Sequence, residues 1–292
     1  MRVALIAGSV LAVVLIAMSG TVTLAGLQQK WVITEGLANP ESVLPDADGT
    51  VLYVSNVNGA PTEKNGQGFI SKVSADGQIV NLKWVTALNA PKGLAQFDGK
   101  LYVADIDELV EIDVSEGKVL NRYPAKNAKF LNDVAVASNG DVYVSDMVAD
   151  TIWRLADGKF EVWLNDAGLK NPNGLLIEGN QLRVAAWGVM TDGFATEVPG
   201  YLLTVDLETK AISGMGGSKP FGNLDGLEPV GDGRYLVTDW MAGKVMRVGA
   251  DGQVETLQDL GQGAADIGYT ASTKMLYVPQ MVKNALHAYS ID

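Results

Sequence analysis

The segment Asn171-Pro172-Asn173-Gly174-Leu175 is the clearest copy of a short pattern that recurs along the chain. Each copy opens a short apolar run, which is followed by a tight turn and by a second run rich in Leu, Val and Tyr. The other copies are Pro40-Glu41-Ser42-Val43, Pro91-Lys92-Gly93-Leu94, Leu131-Asn132-Asp133-Val134, Leu224-Asp225-Gly226-Leu227 and Ala265-Asp266-Ile267-Gly268. They recur about every 40 residues, with two longer intervals, and four strand-like segments fit in each unit. This pattern predicts an all-β fold, a six-bladed β-propeller with four antiparallel strands per blade.

The sixth unit lacks a fourth strand, because the chain ends at Asp292 directly after its third strand. A propeller with an open blade would expose an unpaired strand edge. The segment Lys30-Trp31-Val32-Ile33-Thr34, just before the first unit, has the apolar alternation of an outer strand. We therefore expect this N-terminal strand to complete the last blade and close the ring.

Two units are longer than the others, and the extra residues fall at one equivalent place between the second and third strands. The insertions cover residues 58–67 in the first unit and residues 188–199 in the fourth. In an up-and-down blade, this loop emerges on the face where the first strand begins. Long loops gathered on one rim are typical of a binding site.

Residues 1–25 differ in composition from the rest, with Arg2 followed by an apolar run and then by small and polar residues. This order is typical of a cleaved signal peptide, with a cut after Ala25 or, alternatively, after Ser19. An uncleaved membrane anchor is the competing interpretation. We predict a propeller domain at residues 26–292, located in the periplasm or secreted, with no membrane contact after cleavage.

The composition of the whole chain argues against several classes of function. The formal net charge is −12, so a basic surface for nucleic acid is not expected. The chain has no cysteine, which excludes disulfides and thiol catalysis, and it has one histidine, His287. We expect His287 on the third strand of the last blade, in a packing or surface role.

Six polar residues open the first strands and are expected to converge in the central channel: Glu41, Lys92, Asn132, Asn173, Asp225 and Asp266. We call them the anchors. Oxygen donors without Cys or His favour Ca²⁺, with Mg²⁺ or Mn²⁺ as alternatives. The competing interpretation is that these residues only cap turns. That role is assigned instead to residues at the ends of second strands, namely Asn56, Asp105, Asp146 and Asp239.

The ordered Glu, Asn, Asn, Asp set resembles that of the gluconolactonase/regucalcin family of six-bladed propellers, over about residues 30–292. The resemblance implies one divalent cation held by Glu41, Asn132, Asn173 and Asp225, with Asp225 as the catalytic residue. Lys92 departs from the family pattern at the second anchor, where its charge would weaken metal binding, hold an anionic substrate or pair with Asp266.

The resemblance and the anchor residues together predict a Ca²⁺-dependent hydrolase of a small ester, with a lactone as the first candidate. Its substrate contacts are predicted to be Lys92, Asp266, Trp187 and Phe194. The alternative is a non-catalytic propeller that binds a ligand or a protein, as NHL-type repeats do, because a fold does not determine a function. An ammonium group of Lys92 close to the metal ligands would favour this alternative.

Overall fold

The computed structural model describes residues 26–217 and 219–291, so the predicted leader at residues 1–25 lies outside the described residues. The described chain folds into six four-stranded antiparallel sheets, which are the blades of a propeller, and one additional two-stranded sheet. The predicted fold class is confirmed.

The strands follow the predicted repeat closely. The first strand of the chain, β1, spans Leu27–Ile33. Blades one and two contain β2 (Pro40–Pro45), β3 (Val51–Asn56), β4 (Gly68–Ser74), β5 (Ile79–Leu88), β6 (Pro91–Phe97), β7 (Lys100–Asp105), β8 (Glu108–Asp113) and β9 (Lys118–Pro124). Blades three and four contain β10 (Leu131–Val136), β11 (Val142–Asp146), β12 (Thr151–Ala156), β13 (Lys159–Asn165), β14 (Pro172–Glu178), β15 (Gln181–Ala186), β18 (Leu202–Asp206) and β19 (Ile212–Gly214), with the hairpin β16 (Gly188–Met190) and β17 (Thr196–Pro199) between β15 and β18. Blades five and six contain β20 (Leu224–Gly231), β21 (Arg234–Asp239), β22 (Lys244–Val248), β23 (Val254–Asp259), β24 (Gly268–Thr270), β25 (Met275–Gln280) and β26 (Ala285–Ile291).

The N-terminal strand closes the ring as predicted. The last sheet has the order β1-β26-β25-β24, and β1 runs antiparallel to β26 from the pair Leu27–Ile291 to the pair Ile33–Leu286. The strand begins three residues earlier than the predicted Lys30 and ends at Ile33. Trp31 ties it to the first blade, since its indole nitrogen donates a hydrogen bond of 2.9 Å to the carbonyl of Ala75.

The core lies between neighbouring blades, whose sheets pack face to face around the channel. One cluster joins Tyr53 and Ile70 of blade one to Leu94 and Val103 of blade two, and equivalent clusters join the other pairs of neighbours. Burial of these apolar side chains, rather than any helix, stabilises the ring.

Glycines permit the close approach of the first strands near the axis. A Cβ atom on Gly174 would lie 2.0 Å from the carbonyl oxygen of Asp225 in the next blade. A Cβ on Gly93 would lie 2.1 Å from the Asp133 carboxylate, and one on Gly226 would lie 2.4 Å from the backbone nitrogen of Ile267. The channel is narrow at this level because these positions have no side chain.

Helical structure in the described chain consists of four three-residue 3₁₀ turns, at Met147–Ala149, Ala167–Leu169, Met215–Gly217 and Met281–Lys283. No helix among the described residues has the length and apolarity needed to span a bilayer.

Candidate active site

A β-bulge at the start of each first strand positions the anchors in blades one to five. In blade one, Pro40 pairs with Asn56 and Val43 with Val54, so Glu41 and Ser42 together face the single residue Ser55. The same two-against-one register occurs at Lys92, Asn132, Asn173 and Asp225. A bulge kinks a strand and redirects a side chain, and here it directs the anchor into the channel mouth.

The backbone N–H that each bulge leaves outside the ladder finds a hydroxyl partner in three blades. The nitrogen of Ser42 donates to Ser55 Oγ at 2.9 Å, and Asp133 donates in the same way to Ser145 Oγ at 2.9 Å. In blade five, the nitrogen of Gly226 donates to Thr238 Oγ1 at 2.8 Å. A small hydroxyl residue inside the second strand therefore supports the bulge that carries the anchor.

The predicted capping residues also hold the loops that lead into the anchors. Asp105 accepts hydrogen bonds from the backbone nitrogens of Asn89 and Ala90 at 2.8 and 2.7 Å. Asp146 accepts from Lys129 and Phe130. The side-chain oxygen of Asn56 accepts from the backbone nitrogen of Ala38, and the carboxylate of Asp239 accepts from the backbone nitrogen of Asn223. Their structural role is confirmed.

Five of the six anchors line one cavity of about 110 Å³ at the channel mouth. We call these buried residues the polar floor: Glu41, Lys92, Asn132, Asn173 and Asp225. The remaining lining forms what we call the apolar wall: Pro61, Phe130, Met147, Trp187, Phe194, Trp240 and Met281. Pro61 and Phe194 belong to the two insertions, so both insertions contribute to the cavity as their position in the repeat predicted.

The two asparagines of the polar floor are connected by a hydrogen bond. Asn132 Nδ2 donates to Asn173 Oδ1, and Asn173 Nδ2 donates at 3.1 Å to the carbonyl oxygen of Leu224. Asn132 Nδ2 also lies 3.5 Å from the sulfur of Met147. These contacts fix the orientation of both amides.

The carboxylates of the polar floor lie in an environment that disfavours their charged form. Glu41 is 6% exposed, and its buried Oε2 has no hydrogen-bond partner among the described residues. Burial raises the pKa of Glu41 well above its usual value, and repulsion from Asp225 and Asp266 raises it further. Burial also raises the pKa of Asp225, with a contribution from Asp266. A nearby cation would relieve this cost.

Lys92 supplies one positive charge inside the same cavity. Its side chain is 1% exposed, and its Nζ donates a hydrogen bond of 2.9 Å to the carbonyl of Ala90. Burial lowers the pKa of Lys92 to about 8, although the carboxylates of Glu41 and Asp105 act in the opposite direction. The ammonium group therefore shares a cavity with the predicted metal ligands.

Asp266, the sixth anchor, is not part of the cavity lining. Its carboxylate accepts a hydrogen bond of 2.5 Å from Ser42 Oγ, and its backbone nitrogen donates to the carbonyl of Glu41. The last blade has the same one-residue shift, between the pairs Ala264–Gln280 and Gly268–Tyr277, so Ala265 occupies the anchor position and Asp266 the position after it, as Ser42 does in blade one. Asp266 therefore links the first and last blades beside the polar floor.

A repeated apolar position contributes four of its six residues to the apolar wall, and the sequence patterns used above did not identify this repeat. The residue directly after each second strand is apolar in all six blades: Val57, Ile106, Met147, Trp187, Trp240 and Met281. Its backbone nitrogen donates to a carbonyl just ahead of the anchor in five of them, for example Met147 to Phe130 and Trp187 to Asn171. Aligning the repeats one residue beyond the strand would have revealed this ring.

The fourth-blade insertion forms the hairpin β16–β17 rather than an irregular loop. Its turn carries Phe194, which is 37% exposed and lies against Phe130 and Trp187, with ring centroids 5.6 and 6.1 Å apart. The indole nitrogen of Trp187 donates to the carbonyl of Phe194 at 3.0 Å. His287, in contrast, lies on β26 opposite Val278 and Val32, and it is not part of the cavity lining.

The donor set is compatible with a hard divalent cation. Two carboxylates and two amide oxygens are ligands that Ca²⁺ and Mg²⁺ accept, and the unpartnered Oε2 of Glu41 is free to bind an ion. In the described part of the chain, no three His, Cys, Asp or Glu side chains form a metal-binding group. A cation here would therefore depend on Asn132 and Asn173 as well as on Glu41 and Asp225.

The fold and the site together define a class: a six-bladed β-propeller with a polar-floored cavity in its channel mouth. Among solved structures, it is similar to a gluconolactonase from Xanthomonas campestris, at 16% identity and a TM-score of 0.65, covering 92% of this chain and 91% of that one. It is also similar to a streptogramin B lyase, at 13% identity and a TM-score of 0.60, covering 91% and 97%. A catalytically inactive virginiamycin B lyase variant from Staphylococcus aureus with quinupristin matches at 13% identity and a TM-score of 0.60, covering 91% and 99%.

These similarities establish the fold alone. No family model matches the sequence, and no curated protein matches it.

Proposed function

We propose that this protein is a hydrolase of small esters, with a lactone as its substrate and a divalent cation, Ca²⁺ first, as its cofactor. The observation that carries the proposal is the convergence of Glu41, Asn132, Asn173 and Asp225, from four different blades, on one buried cavity. The fold is shared with a gluconolactonase, which supports a lactone over other esters.

Glu41, Asn132, Asn173 and Asp225 would hold the cation. When bound, it supplies a Lewis acid that polarises a substrate carbonyl and stabilises negative charge on its oxygen. The hydrogen bond from Asn132 Nδ2 to Asn173 Oδ1 and that from Asn173 Nδ2 to the Leu224 carbonyl hold the two amide groups in fixed orientations. Such preorganisation is the main source of electrostatic catalysis.

Asp225 is the proposed general base. Its carboxylate lines the cavity in which the carbonyl end of an ester would lie, so it is available to accept a proton from an attacking water. It would take the proton of the attacking water at a carboxylate oxygen.

A lyase activity is less well supported. The virginiamycin B lyase structure is described as a catalytically inactive histidine-to-alanine variant. The only histidine of this chain, His287, lies on β26 and does not line the cavity. The carboxylate site therefore favours hydrolysis.

A non-catalytic binding propeller is the second candidate, and Lys92 is the observation that favours it. Its ammonium group lines the same cavity as Glu41 and Asp225, where it would compete with a cation for their charge. In this candidate, Lys92 replaces the metal, and the cavity holds a ligand without turning it over.

Hydrolysis of a panel of γ- and δ-lactones by protein loaded with Ca²⁺ separates the two candidates. We expect turnover that chelation abolishes and that Asp225→Asn lowers by about 10²–10³-fold. Exposed Asp192→Asn is the matched control and should retain full activity. Binding of lactones without turnover, in the presence or absence of Ca²⁺, would establish the binding candidate instead.

A further inference from the structure

We propose that the cavity selects a neutral ester with a hydrocarbon or aromatic tail, and that it discriminates against polyhydroxylated sugar lactones. The inference rests on the proposed function in one respect, namely that the carbonyl end of the ligand lies on the polar floor. The selection itself depends on the apolar wall, whose residues come from loops on the same face of the propeller.

The apolar wall is a continuous, packed surface. Phe194 lies between Phe130 and Trp187, and the Trp187 ring is 6.2 Å from that of Trp240. Phe130, Met147 and Trp187 are 5%, 1% and 3% exposed and form one cluster with Met190 and Trp240. Aromatic and thioether groups of this kind bind hydrocarbon by burial and by contact with ring faces.

The wall offers few partners for hydroxyl groups. The indole N–H of Trp187 is already donated to the carbonyl of Phe194. The sulfur of Met147 is in contact with the amide of Asn132, and Phe130 and Phe194 have no polar side-chain atoms. A sugar lactone would leave several hydroxyl groups facing this surface without their water partners, which opposes binding.

The cavity is too small for a long ligand. The polar floor and the apolar wall together line a volume of about 110 Å³, so a longer ligand must extend toward the face. Three exposed apolar residues directly follow wall residues in the chain: Val148 after Met147, Met241 after Trp240, and Val282 after Met281. The loops that contribute to the apolar wall therefore also carry exposed apolar side chains.

Turnover of a homologous series tests the selection. We compare γ-lactones with hydrogen, ethyl, butyl and hexyl substituents, and glucono-δ-lactone as the polyhydroxylated case. If each buried methylene contributes its usual transfer free energy, kcat/KM rises by about two- to fourfold per methylene. Glucono-δ-lactone should be the poorest substrate. If the protein hydrolyses glucono-δ-lactone better than the alkyl-substituted γ-lactones, the inference is wrong, but the proposed hydrolase function stands.

The variant Phe194→Ser tests the wall directly, because Phe194 is half-exposed on a hairpin and can be changed without opening the core. It should reduce the advantage of the hexyl over the unsubstituted lactone by about fivefold. Phe194→Leu should retain most of it. Val162→Ser on β13, also exposed, is the matched control and should leave the ratio unchanged. An unchanged ratio in Phe194→Ser contradicts the inference.

Calorimetry with probes that cannot be hydrolysed separates this inference from the proposed function. The probes are 2-hexylcyclopentanone and 1,5-anhydroglucitol, and we expect only the ketone to bind the wild-type protein. If no lactone is turned over but the ketone binds and Phe194→Ser weakens it, the hydrolase proposal fails and the apolar selection holds. If neither probe binds or the polyol binds more tightly, the selection is wrong.

Discussion

The ammonium group of Lys92 lies 4.5 Å from the centroid of the Phe130 ring, and both side chains line the cavity that contains Glu41 and Asp225. A cation over an aromatic face retains its charge at a lower cost than one in a purely aliphatic site. Lys92 therefore connects the polar floor to the apolar wall, and it is the residue whose replacement best distinguishes metal-dependent catalysis from ligand binding.

Replacing Lys92 by Ala should separate two roles. If Lys92 contacts substrate, KM should rise for polar or anionic lactones while kcat changes little. If its charge opposes the metal, the variant should bind Ca²⁺ more tightly and turn over at least as fast. Steady-state kinetics and calcium titration measure both effects. A variant identical to the wild type in KM, kcat and calcium affinity would rule out both roles.

The buried ammonium of Lys92 should also affect stability as a function of pH. Its pKa is about 8 in the folded protein, against an unperturbed value of 10.5, so the unfolded chain holds more protons between these values. The free energy of unfolding attributable to Lys92 therefore increases as pH rises from about 8 to 10.5, by on the order of 3 kcal/mol.

Chemical denaturation of the wild type and of Lys92→Met across this pH range measures that increase as the difference between the two proteins. As pH rises, the free energy of unfolding of the wild type should increase relative to that of Lys92→Met. A difference that does not vary with pH would show that the Lys92 pKa is near its ordinary value.

Calcium should stabilise the folded protein. At a concentration one hundred times its dissociation constant, an ion that binds only the folded state adds about 2.7 kcal/mol to the free energy of unfolding. Asn173→Ala and Asp225→Ala should remove most of this increase, and the exposed control Asp192→Asn should preserve it. Thermal melts with calcium and with chelator provide the measurement. Superimposable melts for the wild type would mean that the anchors bind no calcium.

Ring closure by β1 should determine whether the protein unfolds cooperatively. Removing residues 1–34 deletes β1, leaves β26 as an unpaired edge and exposes Tyr277, whose ring lies 5.8 Å from that of Trp31. We expect loss of a single sharp unfolding transition. Removing only residues 1–25 serves as the control and should leave the transition intact. A protein lacking residues 1–34 that melts like the control would contradict closure by β1.

The glycines beside the anchors should not tolerate a methyl group. In Gly174→Ala the new Cβ would lie 2.0 Å from the carbonyl oxygen of Asp225, so neighbouring first strands must separate. Overpacking of this kind typically destabilises a protein by about 1–3 kcal/mol. Gly214→Ala in β19 is the matched control, since its Cβ would meet only Tyr201 at 3.6 Å. Urea denaturation compares the two, and equal stability would disprove a tight packing at Gly174.

Much of the architecture could be predicted from the sequence because it depends on local patterns. The recurring anchor segments and the apolar alternation of β1 are sufficient to predict six blades and ring closure. Hairpin turns and the alternation of apolar residues are each determined by a few consecutive residues, and a propeller repeats the same hairpins in every blade. The location of the insertions on the anchor face follows from the same repeat.

Other features depend on contacts between blades that are distant in the chain. The sequence placed Asp266 in the ring with the other anchors, whereas the structure bonds it to Ser42 across the closure between the last and first blades. The strand register of the last blade decides this, because Ala265 occupies the anchor position there and Asp266 is the residue after it.

Burial is the other property that only the tertiary structure decides. The residue types at positions 41, 92 and 225 were evident from the sequence. Their shifted pKa values arise because neighbouring blades and the apolar wall remove water from them. The sequence by itself determined which chemical groups open the first strands, and the packing of six blades around one axis determined which of them share a cavity.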